Sequence, residues 1–104
     1  MLIVRSRNGV PVRLTEERWQ HIVRRHKEMV DQRERILETA AEPDMIQQGD
    51  FGELLAIRFY QQTPLTSKFL VVVVYQEISP EDGFILTAYL TSRPSARRVT
   101  VWKR

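Results

Sequence analysis

The sequence predicts an α+β fold: two N-terminal helices packed on a four- to five-stranded antiparallel sheet. Three observations lead there. Apolar residues recur with a helical period between Thr15 and Pro43. From Asp44 to Ser92 they alternate or run continuously, as strands do. Between the last two long strands, Ser79–Gly83 is a tight turn of the kind that joins hairpin partners. A length of 104 residues makes this one domain with a single core.

Each element has its own signals. Met1–Arg5 alternates weakly, and Asn8-Gly9 suggests a hairpin through VRSR-NG-VPVRL, with Pro11 confining its second arm to an edge. Thr15 is an N-cap, and Glu16 and Glu17 suit the positive end of a helix dipole. That helix should run to about Met29, with Trp19, Ile22, Val23, His26 and Val30 on one face. Asp31 and Glu34 have capping-box spacing for a second helix, whose apolar positions are Ile36, Leu37, Ala40 and Ala41 and which Pro43 stops.

Strands follow. Asp44–Gln48 is short, and in Glu53–Gln62 the apolar row Leu55, Ile57, Phe59 alternates with the mixed row Ala56, Arg58, Tyr60. Thr63–Ser67 is a turn, and Lys68–Glu77 is apolar on both faces, as a central strand is. In Phe84–Ser92, Phe84, Leu86, Ala88 and Leu90 face one side, and Ile85, Thr87, Tyr89 and Thr91 the other. Val99–Trp102 is a candidate last edge strand.

Composition excludes several classes. There is no cysteine, hence no disulfide, thiolate metal site or thiol nucleophile. The longest apolar stretch, Phe69–Tyr75, is far shorter than the roughly 20 residues of a membrane span. MLIVRSRN lacks the pattern of a signal peptide, so a cytoplasmic location is expected. The net charge of +3 is unevenly spread: residues 1–27 carry +5, 28–82 carry −7 and 83–104 carry +5. If the chain ends meet in the fold, they build a positive face suited to a polyanion such as RNA; solvated arginines account for the pattern equally well.

The strand ending at Arg93 is the most informative. Thr87, Tyr89 and Thr91 place three hydroxyls in a row, with Arg93 on the same parity. Hydroxyls ending in a guanidinium suit a phosphate, although Thr and Tyr are common on any wet sheet face. Both histidines lie in one helix. His26 shares the face of Trp19, while His21 and Arg25 point elsewhere, the two rings being roughly 140° apart. Histidine is suited to acid/base work near neutral pH, though one on an apolar face is more often a core residue. Diverging rings at i, i+5 are not metal-ligand spacing, so neither a metal nor another cofactor is expected. Arg58 and Lys68 matter only if they converge with Thr87 and Tyr89.

These segments resemble a known family. LTEERWQHIVRRH, a capped helix ending in Pro43-Asp44, GELLAIRFY, KFLVVVVYQE and DGFILTAYLTSR are similar to a phage- and cyanobacterial-type family of the Barnase–EndoU–colicin–RelE nuclease fold. The resemblance covers about residues 10–93, chiefly through H-I-x-x-R-H and F-x-x-T-A-Y. It implies helices on a four-stranded antiparallel sheet and a metal-independent endoribonuclease, in which the 2′-hydroxyl attacks to leave a 2′,3′-cyclic phosphate. By the same resemblance, His26 or His21 is the acid/base and Arg58 stabilises charge. Thr87 and Tyr89 position the phosphate, while Lys68, Arg25, Thr91 and Arg93 contact substrate. Lys27 stands where related sequences have proline. The expected partners are RNA and, for a toxin, a protein antitoxin or a second copy of the chain. The competing expectation is a non-catalytic RNA-binding or protein-interaction domain on the same fold.

Overall fold

The computed structural model describes residues 1–104. The chain runs β1 (Leu2–Arg5), β2 (Pro11–Leu14), α1 (Glu16–Arg25), a 3₁₀ turn (Lys27–Met29), α2 (Arg33–Ala41), β3 (Met45–Gln48), β4 (Leu54–Phe59), β5 (Leu70–Ser79), β6 (Asp82–Thr91) and β7 (Thr100–Lys103). All strands join one sheet in the order β1-β2-β6-β5-β4-β3-β7. The sheet therefore has seven strands, not four or five, and it is mixed: β2 runs parallel to β6 while every other pair is antiparallel. The hairpin expected through Asn8-Gly9 precedes the helices as β1 and β2. The expected count fell short because nothing local shows that this hairpin joins the main sheet: β2 docks on β6 through only two register pairs, Val12 with Gly83 and Arg13 with Phe84.

The parallel junction depends on Gly83. Its register partners are Val12 and Glu77, and a Cβ there would lie 2.6 Å from the Gln76 carbonyl oxygen and 2.9 Å from Val12 Cγ1. Three backbones meet where only glycine fits. Pro11 is not on an edge strand, but the ladder to β6 begins one residue later, at Val12. Gly9, at φ +84°, supplies the left-handed residue of the β1–β2 loop. Glu77 ties that loop down, accepting from Ser6 Oγ at 2.5 Å and Asn8 Nδ2 at 3.0 Å.

Both helices lie on one face. Thr15 caps α1 as expected, its Oγ1 accepting from the Arg18 N–H at 3.1 Å. However, α1 stops at Arg25, because His26 leaves the helical region at φ −134°, ψ 81°. The 3₁₀ turn then carries Met29 into the core and leaves Val30 54% exposed, contrary to its expected place on the apolar face. Asp31 caps nothing: α2 starts after Gln32, which makes no side-chain cap bond. Gln32 is buried and its Oε1 accepts instead from Arg35 at 3.3 Å.

The main core joins Trp19, Ile22, Met29, Ile36 and Ala40 of the helical layer to Ala56, Val71, Val73, Tyr75, Ala88 and Leu90 of the sheet. The alternation of β6 reverses within the strand. Val74 pairs with Thr87 but Tyr75 with Ile85, so Leu86 is the extra residue of a bulge. Ile85 consequently points to the helices, not along the Thr87–Tyr89 row. In β4 the apolar row likewise faces away from the helices. Leu55 and Ile57 join Val72 in a second, smaller cluster on the opposite face, against which Tyr89 packs. The sheet curls enough for its far ends to touch: the Arg7 guanidinium lies 4.4 Å from the Trp102 ring centroid. No helix is long and apolar enough to cross a membrane.

Gly83→Ala is expected to destabilise the fold by roughly 1–3 kcal/mol through overpacking at the β2–β6 junction. A lowered midpoint in urea unfolding, with the slope unchanged, checks it.

Candidate functional site

The face of the sheet away from the helices carries the site. Register places Thr87 beside Val74 and Leu55, Tyr89 beside Val72 and Ile57, and Thr91 beside Leu70 and Phe59. The segment between β6 and β7 must travel from the third strand position to the seventh, and it crosses this face. Gln47 Nε2 holds it by donating to the Ser95 carbonyl at 2.9 Å, and the Gln48 N–H donates to the Val99 carbonyl at 2.8 Å. Arg98 pairs with Asp50 at 3.4 Å.

Beneath the segment is a cavity of about 170 Å³, with Leu55, Ile57 and Val72 as an apolar floor and Gln47, Tyr89, Thr91, Arg93 and Arg98 around it. A second, more open cavity of about 400 Å³ adjoins it, sharing Ser95 and Arg98 and adding Arg97. The segment thus carries three arginines, of which only Arg98 has an ion-pair partner. Burial raises the Tyr89 phenol above its ordinary range, partly offset by the charge of Arg98, so Tyr89 is a protonated donor at neutral pH. Phe59 and Phe69 stand beyond the floor, exposed, with ring centroids 6.2 Å apart.

On the side away from β5, β6 lacks a strand neighbour along Thr87–Thr91, because β2 pairs with it only at Gly83 and Phe84. The end of α1 covers this edge. His26, held at the helix C-cap, brings its ring to 5.8 Å from that of Tyr89. Its Nδ1 is 3.9 Å from Glu28. The C-cap of α1 and the basic C-terminal segment thus both approach Tyr89, through His26 and through Arg98.

Of the residues expected from sequence, Tyr89, Thr91 and Arg93 come together at the cavity, and His26 reaches it only through the Tyr89 ring. Thr87 is on the same face but does not line the cavity. The Thr91 hydroxyl already donates to the Arg93 carbonyl at 3.2 Å, so it offers a ligand only its lone pairs. His21 forms no hydrogen bond or ion pair; partial burial and then the charges of Arg18, Arg25 and Arg24 hold its ring below the ordinary histidine range. Arg25 and Lys68 are exposed and unpaired. Arg58 lies on the opposite face, level with Val71 and Leu90. There it donates to the Glu42 carbonyl at 2.6 Å and sits 3.8 Å from Glu38, so it does not converge with Thr87 and Tyr89. Sequence reasoning missed Gln47 and Arg98. The doublet Arg97-Arg98 was a signal of basic character only, and one glutamine in a four-residue strand is no signal.

No group of three or more histidine or acidic side chains is arranged to hold a metal ion. No family model, curated protein or solved structure matches the chain.

Arg58 belongs to a structural cluster with Tyr60, whose hydroxyl donates to Glu38 at 2.5 Å. Burial and that bond push the Tyr60 phenol up to about 12, against about 10 in an unfolded chain. The unfolded state therefore loses its proton first as pH rises. This contribution to stability is complete below about pH 10 and disappears between about 10 and 12. Tyr60→Phe should flatten the fall of the thermal midpoint across that window.

Proposed function

We propose that the chain is an endoribonuclease that binds single-stranded RNA on the open face of its sheet. The observation that carries this reading is the placement of His26 against Tyr89, at the rim of a cavity edged by Arg93 and Arg98. A proton acceptor thus lies beside a protonated phenol whose cavity two guanidiniums edge, and an RNA phosphodiester needs groups of these kinds for internal transfer. The exposed Phe59–Phe69 pair is available for base stacking, and every base has a π-face to stack.

In this mechanism the 2′-oxygen bonds to phosphorus as the bond to the 5′-oxygen breaks. His26 takes the 2′-hydroxyl proton, and the departing 5′-oxygen takes one from solvent at the open mouth. Tyr89 donates to a non-bridging oxygen, and Arg93 and Arg98 offset the charge building on the phosphoryl group. The products are a 2′,3′-cyclic phosphate and a 5′-hydroxyl. No step uses a divalent ion. In cells this reading entails growth arrest on expression and, for a toxin, a protein that restrains it.

A second reading keeps the RNA and omits the chemistry. The arginines and exposed phenylalanines favour it, since they are sufficient for binding.

His26→Ala should lower cleavage of a mixed-sequence RNA in EDTA by about 10²–10⁴-fold. Affinity for the uncleavable 2′-O-methyl RNA should be retained. Tyr89→Phe should cost about tenfold in rate, the worth of one charge-assisted hydrogen bond, and Arg58→Ala should leave the rate unchanged. Fragments ending in a cyclic phosphate identify the reaction. If wild type binds RNA, more weakly as salt rises, yet yields no fragments, the second reading holds.

A further inference from the structure

Gln47 is 2% exposed, and only one end of its amide is satisfied. Nε2 donates to the Ser95 carbonyl, whereas Oε1 is buried without a partner, in a residue that lines the 170 Å³ cavity. The amide cannot be turned over, because that would set two acceptors against each other at 2.9 Å. A buried, unpaired acceptor is costly to keep. Here the strand that holds Gln47 also makes it pin the segment covering the site, so the unused oxygen is fixed in place behind the cavity lining.

The surroundings limit what could satisfy it. The floor of Leu55, Ile57 and Val72 is apolar, the Tyr89 ring forms a wall, and the cations Arg93 and Arg98 stand at the edge. Arg97 and Arg98 continue the positive charge into the adjoining cavity, where the one acidic neighbour, Asp50, is already paired with Arg98. A suitable ligand is flat and apolar on its faces, offers an N–H on its edge, and carries an anion a few ångströms away. A nucleotide has all three features.

We propose that this cavity is a base-reading pocket: it takes one nucleobase, Gln47 Oε1 accepts an N–H from the base edge, and Arg97 and Arg98 hold the adjoining phosphate. This rests on the reading of the chain as an RNA-binding protein. It makes Gln47 a specificity-determining residue, outside the machinery that moves protons.

The test uses the full chain and 2′-O-methyl homopolymer octamers of uridine, adenosine and cytidine, which cannot undergo 2′-hydroxyl attack. Each is paired with the same octamer methylated to remove its edge N–H: 3-methyluridine, N6,N6-dimethyladenosine or N4,N4-dimethylcytidine. Wild type should bind at least one unmodified octamer tenfold or more tightly than its methylated form, because a site built to hydrogen-bond a donor rejects the analogue lacking it. Gln47→Leu, which replaces the amide with an apolar group of similar size and gives up the bond to Ser95, should remain folded and bind both forms alike. A thermal melt verifies the fold, and Gln47→Asn, with the same amide on a shorter stem, serves as a second variant that should also lose the preference. Binding without a preference in wild type, or an undiminished preference in Gln47→Leu, overturns the base pocket and leaves the RNA reading standing. No binding to any octamer overturns the RNA reading and the pocket with it. Mononucleotides that compete as well as octamers, with the same dependence on Gln47, support the pocket and assign it to free nucleotides.

Discussion

β5 is buried on both of its faces, and the rest of the molecule is arranged around that constraint. Val71, Val73 and Tyr75 point to the helices, while Val72 points the other way. One helical layer can cover only one side of a sheet, so the second side needs its own cover. The connection from β6 to β7 supplies it, crossing over Leu55, Ile57 and Val72. That connection also carries three arginines and no acidic residue. The need to shield a few valine and isoleucine side chains thus brings arginines over an apolar floor, and the site follows from the packing.

The bulge at Leu86 makes the two demands on β6 compatible. With unbroken alternation, Ile85 and Tyr89 would share a face, and either the core would lose an isoleucine or the open face would lose its tyrosine. One extra residue turns Ile85 inward while Thr87, Tyr89 and Thr91 remain outward. Likewise the early stop of α1 at His26 serves both sides: Met29 enters the core and the imidazole reaches the edge of β6 that no strand pairs.

The sequence was informative where a signal is local. Thr15 as a cap, the two-faced β5, the β5–β6 turn and the hydroxyl row of β6 are all readable from spacing, and each is present. What depended on distant partners was not readable. The parallel docking of β2 on β6 rests on close approach at Gly83, some 70 residues from Val12. Arg58 looked like a candidate because its row in β4 is mixed, but that row faces the helices, where Tyr60 and Glu38 occupy it. Parity shows which residues share a face and not which face the helices cover. Gln47 was silent for a related reason: its importance comes from one carbonyl, Ser95, far along the chain.

The segment over the site is anchored downstream by β7, a four-residue ladder on the outermost edge of the sheet. Elements with so few bonds and one neighbour open far more often than the centre of a fold. Fraying of β7 would release Val99 and slacken the crossing over Ile57 and Val72 while the helical core stays intact. The ceiling of the cavity is therefore hinged at a weak point, and exchange of whatever lies beneath it is set by the breathing of an edge strand, with no need for the protein to unfold.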